Sequence, residues 1–223
     1  MSFPDFSGSD AQIQWQRFCD LLWYHDDLGF WLDISRMHVN ADHLTALEPG
    51  FDKAFQAMQA LESGAIANPD EGRQVGHYWL RTPSLAPSSE VAQHVSGEVD
   101  RIEQFGKDIL QGVIKAPNGK AFTDVLWIGI GGSGLGPILM IRALQSPGKG
   151  LPFHFLDNVD PNGMSAVFAG LDVRLATTLV VIVSKSGGTP EPHLGMEQAR
   201  HRVEESGGVW AQQAVAITML DSH

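Results

Sequence analysis

Features that would staple a chain, anchor it or charge it toward one partner are scarce in this sequence. Cys19 is the single cysteine, so no disulfide can close within the chain. No apolar run approaches the ~20 residues needed to span a bilayer, which argues against a membrane protein. Lysines and arginines form no run, and a formal net charge of -11 argues against nucleic acid or an anionic membrane surface as the main partner. Met1 to Asp10 has neither the basic segment nor the apolar core of a signal peptide, so a cytoplasmic protein is expected. His25, His38, His43, His77 and His94 are scattered without metal-ligand spacing, and no metal site is expected. Neither an internal repeat nor a low-complexity linker is visible.

What is present can build a core. With 223 residues, 43% of them hydrophobic, the chain suits one large domain or one domain with a helical extension. Ser9 and Gln12 resemble a capping box, after which Ala11, Trp15, Phe18, Cys19 and Leu22 recur at helical spacing. A short helical turn over Asn40 to Leu47 is expected to break at Glu48-Pro49-Gly50. Phe51, Phe55, Met58 and Leu61 then line one face as far as Gly64, and that stripe reads as core. His77, beside Tyr78 and Trp79, reads as a packed residue. Val91, Val95, Ile102, Phe105 and Ile109 mark a third long helix ending near Gly112. To about residue 120 the pattern is all helix.

From Asp124 the period changes. Val125 to Ile130 forms a short apolar run that breaks into glycines and resumes as a helix, with Pro137 tolerated in that helix's first turn. Phe153 to Leu156, Thr178 to Val183 and Ala214 to Thr218 read as three further strands. Asp160-Pro161 and Thr189-Pro190 carry the cap and first-turn proline of intervening helices. Strands alternating with helices over short connections predict a parallel sheet covered by helices, an α/β fold. The chain stops at Asp221-Ser222-His223 directly after an apolar strand, so a truncated sheet domain is expected.

Two loops carry the chemistry. Gly129-x-Gly131-x-x-Gly134 fits a dinucleotide fingerprint, with Asp157 placed to hold a ribose, and a nicotinamide-dependent dehydrogenase is one reading. Gly132, Ser133 and a second loop point elsewhere. That second loop, Ser184-Lys185-Ser186-Gly187-Gly188-Thr189, offers hydroxyls, permissive glycines and a cation at another helix entry. Two such loops at strand ends of one sheet can converge on one phosphate, whereas a Walker A loop is absent from both. Hydrogen bonds to a charged acceptor contribute roughly 1.5–3 kcal/mol each, enough for about millimolar to micromolar affinity from a few donors. Glu191 is read as a partner of the helix dipole and His193 as a packed or solvent-facing residue, neither as a catalytic group.

Together, Ile128 to Pro137 and Val183 to Glu191 resemble bacterial-type glucose-6-phosphate isomerase, as does the stretch from Asn68 to Arg81. The resemblance covers most of the chain and implies a parallel α/β/α sandwich of sugar isomerase (SIS) type, incomplete at its C-terminus, over residues 121–223. Residues 1–120 form the helical N-terminal segment. Carried over, Gly132, Ser133, Ser184, Lys185, Ser186 and Thr189 are the contacts to the sugar phosphate. Pro192 departs from the family, which commonly has threonine there; this bears on a helix-start hydroxyl, not on the phosphate loop. The activity implied is interconversion of glucose 6-phosphate and fructose 6-phosphate through a cis-enediol. The family's glutamate, histidine, lysine and arginine of the reaction come from later sequence, so no catalytic residue is assigned here. No metal or organic cofactor is implied, and the full-length form is expected to be a homodimer. The alternative function is a non-catalytic phosphosugar sensor of the same fold.

Overall fold

The computed structural model describes residues 11–146 and 148–219. The cap expected at Ser9 and the terminal Asp221-Ser222-His223 lie outside the described residues. Between Ser96 and Gly97 the chain divides into two compact units.

In the first unit, helix α1 (Ala11–Leu21) leads directly into an antiparallel hairpin of β1 (Leu22–His25) and β2 (Phe30–Asp33), in which Trp23 pairs with Leu32 and Tyr24 with Trp31. The hairpin interrupts the all-helical pattern expected to about residue 120. Aromatic residues flanking Asp26-Asp27-Leu28-Gly29 are the hairpin signal that the helical period of α1 masked. Arg17 ties the hairpin's exit to α1, donating to the carbonyls of Ser35, Met37 and Val39 at 2.6–2.8 Å. Helix α2 (Ala41–Glu62) is continuous, with Asn40 Oδ1 accepting from the His43 amide at 2.8 Å as its cap. The break expected at Glu48-Pro49-Gly50 does not occur. Pro49 withholds only the N–H that would donate to Thr45, and the remaining turns carry the helix past it.

Nor is the stripe on α2 core, since Phe51, Phe55 and Met58 are 47%, 65% and 42% exposed. Helix α3 (His77–Arg81) buries Trp79, whose Nε1 donates to the Glu62 carbonyl at 3.0 Å. His77, expected to be packed, is exposed and lies tilted against Tyr78, 4.0 Å between ring centroids. Helix α4 (Ser89–Leu110) crosses the division, its residues from Gly97 on belonging to the second unit, and ends as expected just before Gly112.

The second unit is built on a four-stranded parallel sheet of β3 (Asp124–Ile128), β4 (Phe153–Leu156), β5 (Thr178–Val183) and β6 (Ala214–Ile217), ordered β4-β3-β5-β6. Helix α5 (Gly132–Leu144) follows β3, and α6 (Pro161–Leu171) lies between β4 and β5. Helix α7 (Pro190–Glu205) and the short α8 (Trp210–Gln213) precede β6. Alternation along the strands sorts the core into two layers. Leu126, Ile128 and Val180 pack with Phe168 and Leu171 of α6 and with Ala199 and Val203 of α7. Val125, Leu179 and Val181 pack on the other face with Ile109 of α4 and with Phe122. On that face α4 and α5 flank an apolar cavity of about 480 Å³, lined among others by Phe105, Trp127, Met140 and Phe153. The expected parallel sheet with helices on both faces is therefore present.

Candidate functional site

The strand order places the site. After β3 the chain crosses to β4 on one side, and β5 then returns to the other side of β3, so a switch point lies between β3 and β5. Their register pairs Ile128 with Ile182, so the two glycine-rich loops leave the carboxyl ends of neighbouring strands.

The first loop turns on Gly131, at φ +52°, ψ −125°, a conformation closed to most L-residues. Gly134 then packs on the Gly129 carbonyl so closely that a Cβ would collide with it, and Gly129 in turn packs on the backbone of Ser133. In the first turn of α5, Ser133 donates to Ile130, while Gly134 and Leu135 both donate to Gly131. The Gly132 amide donates to no backbone carbonyl among the described residues, and it stands at the positive end of a helix of 13 residues.

The second loop folds partly on itself. Gly187, at φ +73°, donates to Ser184 Oγ at 3.2 Å, and Gly188 donates to Ser186 Oγ at 3.3 Å. Both serine hydroxyls thus accept from the loop and keep their own protons to donate elsewhere. Ser184 is buried and Lys185 and Ser186 are exposed. Thr189 occupies the cap position of α7, yet its side chain makes no capping hydrogen bond. Lys185 anchors the loop through its carbonyl, which accepts from the Met219 amide at 3.2 Å.

All six residues expected to contact phosphate, Gly132, Ser133, Ser184, Lys185, Ser186 and Thr189, therefore lie in two loops at one end of the sheet. Asp157, the acid of the dinucleotide reading, follows β4 at that same end and is exposed. Glu191 sits in the first turn of α7 and His193 is exposed. No cluster of three or more metal-ligating side chains forms among the described residues.

Two features escaped the sequence reading. Trp127, one residue before the end of β3, donates from its indole Nε1 to the Ser133 carbonyl at 2.8 Å. At the opposite end of the sheet, fully buried Asp124 receives His154 Nε2 at 2.8 Å and Arg174 Nη1 at 2.6 Å, both on Oδ1. A charged residue opening an apolar strand was the available signal for the second. Pro137 also needs correction: it is the sixth residue of α5, beyond the first turn in which it was expected.

Fold and loops define a doubly wound α/β protein with paired glycine-rich helix entries at its switch point. The family model for phosphoglucose isomerase matches residues 33–221, and the chain belongs to that family. It is 79% identical over 222 residues to the glucose-6-phosphate isomerase of Parasynechococcus marenigrum, and 70% identical over 222 residues to that of Prochlorococcus marinus (strain MIT 9313). Each alignment covers 100% of this chain and 40% of the relative, so the chain spans about two fifths of those proteins' length. Among solved structures, a glucose-6-phosphate isomerase from Chlamydia trachomatis superimposes with a TM-score of 0.75 at 29% identity, over 93% of this chain and 40% of that one. No helix among the described residues is long and apolar enough to cross a membrane.

Proposed function

We propose that this chain forms the phosphate-gripping portion of an aldose–ketose isomerase that interconverts glucose 6-phosphate and fructose 6-phosphate. The observation that carries the reading is the pair of loops at the β3/β5 switch point, in a chain whose relatives bear that enzyme's name. The Gly132 amide and the hydroxyls of Ser133, Ser184, Ser186 and Thr189 donate to the phosphate oxygens, and Lys185 supplies a positive charge. Fixing the phosphate places the far end of the open-chain sugar, C1 and C2, at a set distance from the loops. There a carboxylate base moves one proton between the two carbons through a cis-enediol, so no electron acceptor is needed. By the resemblance, that base belongs to sequence beyond residue 223. The full-length enzyme is a cytoplasmic homodimer that uses no cofactor.

The test is a coupled assay of fructose 6-phosphate conversion, run on this chain beside the gene's product at the length of its relatives. Turnover by the longer protein alone is expected. Binding of sugar phosphate by both with turnover by neither would replace the isomerase with a sensor.

A further inference from the structure

We propose that Trp127 is a positioning residue for the first loop, acting through the carbonyl of Ser133, and that it does so because Pro137 withholds the amide that would otherwise bond that carbonyl in the helix. In an α-helix the carbonyl of Ser133 would accept from the amide four residues on. That residue is Pro137, which has no N–H and whose ring crowds the same carbonyl. That acceptor sits in a crowded part of the loop, where a Cβ on Gly129 would lie 2.9 Å from the Ser133 oxygen. The half-buried indole Nε1 of Trp127 takes the place of the missing amide, at 2.8 Å. Trp127 is itself held in β3 by the strand register and lies near Phe153 in the neighbouring strand, at 6.4 Å between ring centroids. The donor therefore comes from the rigid sheet. It clamps the turn of α5 that carries the Gly132 amide and the Ser133 hydroxyl. The proposal rests on the phosphate reading only for its consequence in binding; the clamp itself is a matter of geometry.

Trp127→Phe keeps an aromatic ring and removes the donor. In the full chain we would measure amide hydrogen exchange at Ser133, Gly134 and Leu135, and the affinity for inorganic phosphate and for fructose 6-phosphate by titration calorimetry. Exchange should quicken about tenfold and both ligands should weaken about five- to tenfold, as expected when a half-buried acceptor loses its partner. Pro137→Ala returns a helical donor to the Ser133 carbonyl. In that background Trp127→Phe should shift exchange and affinity by less than about twofold, a non-additivity that lost ring packing cannot produce. The proposal is overturned if Trp127→Phe leaves exchange unchanged, or if its effect is equal in both backgrounds. Should the parent chain bind neither ligand, the phosphate reading fails, and the exchange series alone decides whether Trp127 holds the loop.

Discussion

Leu126 in the second unit and Phe55 in the first are both large apolar residues on regular elements, yet Leu126 is 0% exposed and Phe55 is 65% exposed. The contrast extends to their neighbourhoods. Around Leu126, helices α6 and α7 close one face of the sheet, and α4 packs on the other. Around Phe55, the stripe on α2 stays open, as do Trp23, Phe30 and Trp31 of the hairpin. A parallel sheet presents two faces to helices supplied by its own crossovers, so it completes its core locally. A hairpin and a single long helix present apolar faces without supplying what covers them. Periodicity records that a face favours burial and is silent about what buries it.

This contrast can be broken or sharpened by substitution. Leu126→Ala should remove about 3 kcal/mol from the second unit, as for other fully buried leucines, read as faster hydrogen exchange throughout β3 and β5. A loss below about 1 kcal/mol would mean the sheet is not the closed core described. Arg174→Ala should cost about 2 kcal/mol by the same readout. It leaves Asp124, 0% exposed, with His154 alone, although Arg174 itself is 44% exposed and so contributes less than a fully buried partner. Phe55→Ala in the first unit should change local stability by no more than about 0.5 kcal/mol. A much larger loss would show that the α2 stripe is buried in solution and erase the difference between the units.

The smallest effect concerns Asp33, at the end of the hairpin. Hydrogen bonds from the Ser35 side chain and amide hold its carboxyl below the ordinary aspartate value, with the Arg36 charge adding to this. A depressed folded value means that ionised Asp33 stabilises the hairpin at neutral pH. That contribution fades as pH falls below about 4 through the folded pKa. Titration of the Asp33 carboxyl by NMR should show the lowered midpoint, and Ser35→Ala should return it toward normal.

The second unit was the more legible of the two in sequence. Phe153 to Leu156 and Thr178 to Val183 are strands at the residues expected, because short apolar runs bounded by turn residues leave few alternatives. Asp160 caps α6 as read, accepting from the Gly163 amide at 2.6 Å. The hairpin was missed because Leu22 continues the helical spacing of α1, and only pairing across the turn makes it a strand. At the site, glycines and hydroxyls at strand ends revealed both loops, since backbone freedom and helix entry are local properties. Which atoms the site groups already engage was less legible. The bonds from Gly187 to Ser184 and from Gly188 to Ser186 are local but require the turn that Gly187 makes, whereas the reach of Trp127 to Ser133 depends on β3 meeting α5. Pro137, four residues after Ser133, was the one trace of that contact in the sequence.

Whether the two loops together hold a sugar phosphate, as proposed, is tested by the affinity of this chain for fructose 6-phosphate, alone and with Ser184→Ala plus Thr189→Ala. Thr189 makes no capping bond, so its loss leaves α7 intact, and a thermal melt monitors the loop bond lost with Ser184. Millimolar or tighter binding by the parent chain is expected, with at least about tenfold weaker binding by the double variant and the melt little changed. Equal affinity in the two proteins would contradict the proposal.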